Sequence, residues 1–206
     1  MKGAGALFVL SLLSLYGNVI EAEEGNTENA PDFCGKNECP KYQVAKQYNT
    51  FELRVYEATN WVSTDMEEDF LGYGKVKSFR HLFGYISGKN SQGIKIPMTV
   101  PVNIYIPLKR PSPTNATMSF FLPPSLSPPA PTDPDVYLQS VPEKSVYVKS
   151  FTGYAFQNDY LKKAKALSEE LVALGLSFDD SSYTSAGYND PFTLFKRHNE
   201  VWLTAQ

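Results

Sequence analysis

Residues 160–175, YLKKAKALSEELVALG, place Tyr160, Ala164, Leu167, Leu171 and Leu174 at successive spacings of 4, 3, 4 and 3. That is the apolar stripe of an amphipathic helix, and Gly175 supplies its stop. Two strand-like segments precede it, at 136–141 and 145–151, and three follow, at 183–188, 192–197 and 200–204. The first part of the chain runs in the same order. Strands are expected at 48–56, where Phe51, Leu53 and Val55 alternate with Glu52, Arg54 and Tyr56, and at 60–64. A helix follows with Val76, Phe79, Leu82, Phe83 and Ile86 at helical spacing, ending near Gly88, and then strands at 98–106 and 117–122. Pro101 argues that the former lies at an edge or bulge.

Each half leaves a sheet face and a helix stripe uncovered, so the two must pair. The expected fold is α+β, a distorted antiparallel β-barrel formed by two similar strand–strand–helix–strand halves with two flanking helices. The first half spans 42–122 and the second 135–206. Between them, residues 123–134 (PPSLSPPAPTDP) carry six prolines, which excludes helix and central strand and predicts a stiff, extended spacer. A Pro-rich recognition segment for a protein partner is the alternative. Alternating βαβ units and a Gly-rich phosphate loop are both missing, which argues against nucleotide binding.

The N-terminus reads as a targeting segment. Lys2 precedes an apolar run, Ala6 to Tyr16, which is shorter than the roughly 20 residues a membrane span needs. Residues 1–22 are therefore expected to be a signal peptide cleaved after Ala22, giving a secreted, extracellular protein without a membrane span. Residues 23–41 form an acidic arm with a cysteine loop, CGKNEC. Cys34 and Cys39 are expected to be disulfide-bonded, with a gain of about 2 kcal/mol at most from so small a loop. Asn115-Ala116-Thr117 is a glycosylation sequon in a Pro-flanked loop. The whole chain has 206 residues and a net charge of −3, with no basic run, which speaks against nucleic-acid binding. A monomer is expected, with no protein partner specified.

The stretches NWVST (60–64), YISGKN (85–90), MTVPV (98–102), SAGYNDP (185–191) and RHNEVWL (197–203) resemble the SOUL/heme-binding family, and the resemblance covers about residues 42–204. It implies the duplicated barrel and non-covalent binding of heme or another tetrapyrrole. By that resemblance the first helix lines a groove through Val76, Phe79, Phe83 and Gly84, with Thr193 contributed by the loop after SAGYNDP. Relatives place basic residues at positions 76, 84 and 193. Here Arg80 and Arg197, with Lys77 and Lys196 nearby, are expected to replace them as carboxylate anchors. One branch of the family has a proposed axial histidine at the position of Val55, which cannot bind iron. No metal ligand is therefore assigned. His81 lies about 140° around the helix from Val76 and is expected to be exposed. His198 is the residual axial candidate.

Phe79 and Phe83 share one face and suit either the core or the groove wall. Catalysis finds no support in any GxSxG, HExxH, P-loop or CxxC motif, and no histidine has an evident carboxylate partner in sequence. Glu67, Glu68 and Asp69 read as an acidic start to the first helix, and Glu200 as a buried structural carboxylate. The function expected is non-catalytic binding of a tetrapyrrole. The alternatives are another amphipathic small molecule, or a scaffold acting through the Pro-rich loop.

Overall fold

Among the described residues, nine strands and two α-helices account for the pattern. They are β1 (Tyr42–Gln47), β2 (Glu52–Tyr56), β3 (Thr59–Asp65), α1 (Tyr73–Ile86), β4 (Val102–Pro107), β5 (Thr117–Leu122), β6 (Tyr137–Val141), β7 (Lys144–Thr152), α2 (Gln157–Ala173), β8 (Ser182–Gly187) and β9 (His198–Thr204). The computed structural model describes residues 30–66, 73–109 and 115–206. The expected signal peptide, the first part of the acidic arm and Glu67, Glu68 and Asp69 lie outside the described residues.

The strands form one curled antiparallel sheet in the order β1-β2-β7-β9-β8-β4-β5-β3-β6, a half-barrel. Read from the β8–β4 junction outward, the two sides match: β8, β9, β7, β2 against β4, β5, β3, β6. Each half thus gives its first strand to the other. The link from β2 to β3 is only Glu57-Ala58, the length of a hairpin turn. Yet β2 pairs with β7, and β3 pairs with β5 and β6. α1 packs on β3 and β5, and α2 packs on β7 and β9.

Three boundaries differ from expectation. β1 is an additional edge strand that pairs only with β2, and it lacks the alternation that marks a half-buried strand. Residues 98–101 stand outside the ladder, with Pro101 just before β4. There Val100 N–H donates to Glu38 O at 3.0 Å and Thr99 Oγ1 to Phe121 O at 2.6 Å. Residues 192–197 form no strand. Asp190 Oδ1 accepts from the Phe192 and Thr193 amides, and Arg197 bonds the carbonyls of Asp190 and Thr193. The loop satisfies its backbone locally, so nothing drives it into the sheet.

Leu82, Tyr85 and Ile86 of α1 bury against Val62, Met118, Phe120 and Leu122, and Leu167 and Leu171 of α2 against Tyr147, Val201 and Leu203. The third cluster lies on the inner face, opposite the helices. Here the Cys34–Cys39 disulfide packs on Tyr56, Val146, Val148, Tyr188 and Trp202. Beyond the small gain expected from so short a loop, the cysteine pair is part of the core itself.

At the centre of this cluster sits Glu200, completely buried. Oε1 accepts from Arg54 Nη1 at 3.0 Å and pairs with His198 Nε2 at 2.7 Å. Oε2 accepts from Tyr188 Oη and Trp202 Nε1, each at 2.8 Å. Four partners fill the four acceptor sites of a carboxylate. Burial alone raises the Glu200 pKa, but the bonds from His198 and Trp202 and the Arg54 charge outweigh it and hold the carboxyl below its usual range.

Arg54 also stands over the Tyr42 ring at 4.2 Å, and Phe33 stacks on His198 at 4.0 Å with 4° between the rings. Replacing Glu200 by Gln removes the buried counter-charge of Arg54 and leaves it only the more exposed Glu52, at 2.6 Å from its Nε. A loss of about 3–5 kcal/mol in denaturant unfolding is expected. Because the folded pKa is depressed, the carboxylate's contribution is complete above the unfolded value of about 4.3 and is lost as pH falls through the folded value. Stability–pH curves of wild type and Glu200→Gln should therefore converge in acid.

Candidate functional site

The first helix has more apolar surface than the sheet can cover. Its core face is filled by Ser78, Leu82, Tyr85 and Ile86. Val76, Phe79 and Phe83, at i, i+3 and i+7, form a second stripe that stays 49%, 38% and 50% exposed. The Phe79 and Phe83 rings lie nearly parallel, 14° apart with centroids at 5.9 Å, and Phe79 rests edge-on against Phe120 at 5.2 Å. Both rings stay half-exposed, and Phe79 also touches the core through Phe120.

Beside the stripe lies a depression of about 350 Å³ lined by Val76, Lys77, Arg80, His81, Lys89 and Asp133. Gly84 shapes its edge. A Cβ at residue 84 would stand 3.1 Å from Lys89 Cδ, so the absent side chain lets the Lys89 stem lie across the helix. A cation is thus delivered from residue 89 to the neighbourhood of position 84. The sequence search missed Lys89 because its approach depends on the turn after α1.

His81 departs from expectation. It is half-buried, and its Nδ1 lies 2.6 Å from Asp133 Oδ2, a bond that holds the Asp133 carboxyl below its usual range. The Pro-rich segment brings Asp133 there because it folds back on α1. Tyr85 Oη donates to Pro129 O at 2.8 Å, Ser91 N–H to Ala130 O at 2.8 Å and Thr132 N–H to Lys89 O at 3.3 Å. The expected spacer is therefore a clamp packed on the helix. Asp135 Oδ2 lies 3.9 Å from His81 Nε2, which makes His81, Asp133 and Asp135 the histidine–carboxylate group closest to a metal set among the described residues. The Lys89 charge acting on Asp133 works against a cation there.

The second expected wall is the β8–β9 loop. Val102 pairs with both Phe120, which Phe79 touches, and Gly187, after which the loop begins. Two strand spacings, about 10 Å, therefore separate the root of the loop from the base of the aromatic stripe. Thr193 is tied to Asp190, Oγ1 to Oδ2 at 2.7 Å. Arg197 gives its guanidinium to loop carbonyls and lies over the Tyr154 ring at 4.5 Å. Neither lines the depression at α1, whereas Arg80 does.

His198 opens β9. Its Nε2 meets Glu200, two residues on along the same strand face, and its ring lies flat on Phe33; both histidines therefore have carboxylate partners, that of His81 lying 52 residues away. Val55 lies in β2 opposite Ser145, with no ligating group. Asn115 is exposed.

A curled sheet built from two exchanged halves, with a helix over each and a surplus aromatic face on the first, defines a duplicated half-barrel protein. The chain belongs to the SOUL heme-binding protein family, whose sequence profile matches residues 37–204. It is 36% identical to human heme-binding protein 2 over 161 residues, covering 76% of this chain and 78% of that protein. Against mouse heme-binding protein 1 the identity is 28% over 162 residues, covering 77% and 85%.

Among solved structures, a hydrolase from Listeria innocua superposes with a TM-score of 0.55 at 13% identity, covering 79% of this chain and 94% of that one. The EcmrR C-terminal domain gives 0.50 at 13%, covering 80% and 98%. These two share the fold, and no activity is carried over from either. No helix among the described residues is long and apolar enough to cross a membrane.

Tyr85→Phe removes the hydroxyl that satisfies the buried Pro129 carbonyl. A loss of about 1–2 kcal/mol is expected. Faster amide exchange at Ser91 and Thr132, measured by mass spectrometry, should accompany it if the clamp loosens locally.

Proposed function

We propose that this protein binds heme or a related tetrapyrrole non-covalently on the open face of α1 and performs no reaction on it. The observation that carries this reading is the pair Phe79 and Phe83. Two near-parallel rings stand half-exposed on a helix whose core is already complete, a face with little use other than to meet a flat apolar partner. Val76 extends that face. Arg80, with Lys77 and Lys89 along the same depression, supplies positive charge for the carboxylates of a porphyrin, and an arginine fork matches a carboxylate well. The names of the relatives support the same ligand.

Residues of this site fit the macrocycle and its acids, and do not fit the iron. His81 turns Nδ1 to Asp133 and Nε2 toward Asp135 Oδ2 at 3.9 Å, and His198 is stacked under Phe33 beside Glu200, so neither imidazole stands on the Val76, Phe79 and Phe83 face. Heme held here keeps its own redox and ligand chemistry, while the chain supplies an apolar wall and counter-charges. Metal-free porphyrins should bind almost as well as heme.

Titration of the purified protein with hemin and with protoporphyrin IX, followed at the Soret band, should give saturable binding of similar strength for both. Phe83→Arg places a charge on the half-exposed face, so the thermal midpoint should hold while affinity falls at least about tenfold, or about 1.4 kcal/mol. Equal affinity in Phe83→Arg would remove the α1 face from consideration.

The protein is also proposed to be secreted and glycosylated at Asn115. The apolar segment at 6–16, the bonded Cys34–Cys39 pair and the exposure of Asn115 support this. Protein recovered from culture medium should begin at Glu23 and lose mass on treatment with an N-glycosidase. Retention in the cell with Met1 intact would refute it.

A further inference from the structure

The duplication exposes a difference between the two inner faces. In the β7–β9 pairing, Ser150 stands opposite Glu200 and Val148 opposite Trp202. The matching positions of the other half are Ser63 opposite Ser119 and Trp61 opposite Phe121. Asn103 pairs with both Ser119 and Ala186, and Ala186 with Glu200, so one row of residues runs across the junction of the halves. In the second half this row is filled by Glu200, its partners and the disulfide arm. In the first half it carries small hydroxyls, and above them is a cavity of about 510 Å³, within the usual range for small-molecule sites.

Two polar groups of that cavity have no partner among the described residues. Asn103 is buried in its wall, and its Oδ1 has no hydrogen-bond partner. An amide left so costs stability unless something bonds it, and a half turn offers either donor or acceptor. Lys144 lines the same cavity and makes no ion pair with any described residue, and burial depresses its pKa. A desolvated ammonium without a counter-charge is a place for an anion. Asp65, the other charged group in the wall, already accepts from Tyr137 Oη at 3.0 Å and from Asn115 Nδ2 at 3.2 Å. Trp61, Tyr105 and Tyr137 add aromatic surface.

We propose that this inner cavity is a second ligand site, separate from the α1 face, for a small aromatic carboxylate. The acid pairs with Lys144, the ring lies among Trp61, Tyr105 and Tyr137, and a polar ring substituent bonds the Asn103 amide. The two sites are lined differently, this cavity by a row of hydroxyls, the Asn103 amide and Lys144, and the α1 face by two half-exposed rings with Arg80 and Lys89 beside them, so they suit different ligands.

Calorimetric titration of the full chain with 4-hydroxybenzoate tests the proposal. Saturable heat is expected in wild type and in Phe83→Arg. Lys144→Met should weaken binding by roughly tenfold or more, because the ligand's acid loses its counter-charge. Asn103→Leu should weaken it as well, and if that variant does not fold, Lys144→Met decides alone. Hemin binding should be unchanged in Lys144→Met, which separates this site from the one on α1. No saturable heat with 4-hydroxybenzoate, or undiminished affinity in Lys144→Met, overturns the proposal.

Discussion

A single carboxylate, Glu200, has to be buried without water, and much of the architecture follows from how that is done. A charge in such a place is tolerated only when every acceptor site is filled and an opposite charge stands beside it. β9 itself contributes His198 and Trp202, Tyr188 comes from the end of β8, and Arg54 comes from β2. Arg54 belongs to the first half of the chain. It reaches Glu200 because β2 crosses over to pair with β7, so the strand exchange and the ion pair require one another. The arm then covers the pair: Phe33 stacks on His198, and the disulfide closes the apolar rim.

This arrangement uses up the inner face of one half and leaves that of the other half open. The two halves have kept the same strand register while their inner residues diverged, Glu200 on one side and Ser119 on the other. A similar divergence appears on the outside. α1 presents a second apolar stripe, beside which the Pro-rich segment is clamped through Tyr85 and His81. On α2, the stripe Ala164, Leu167 and Leu171 is spent on its own sheet. Ligand-binding capacity therefore gathers in the first half, while the second half is mainly the stable frame.

Much of this was legible in the sequence. The 4, 3, 4, 3 spacing at 160–174, the alternation at 51–56 and the glycines after each helix mark elements because backbone geometry imposes those periods directly. The duplication and the fold class could be read in the same way, and the disulfide from an even pair of cysteines behind a signal-like segment. The aromatic stripe on α1 was visible as well, but its role was not: spacing puts Phe79 and Phe83 on one face without saying whether a sheet already covers it. The edge strand β1 was missed because a strand exposed on both sides has no alternation to detect. The strand expected at 192–197 failed because Asp190 and Arg197 satisfy that backbone from within the loop.

By itself, then, the sequence determined the local elements, their order and their repetition, since these rest on interactions within a few residues. Which strand pairs with which was decided only in three dimensions: a two-residue link such as Glu57-Ala58 reads as a hairpin, and it splays because both halves exchange strands. The partners of Glu200, His81 and Lys89 were decided there too. Burial of a charge is a property of everything that surrounds it, and Arg54 meets Glu200 across 146 residues of chain.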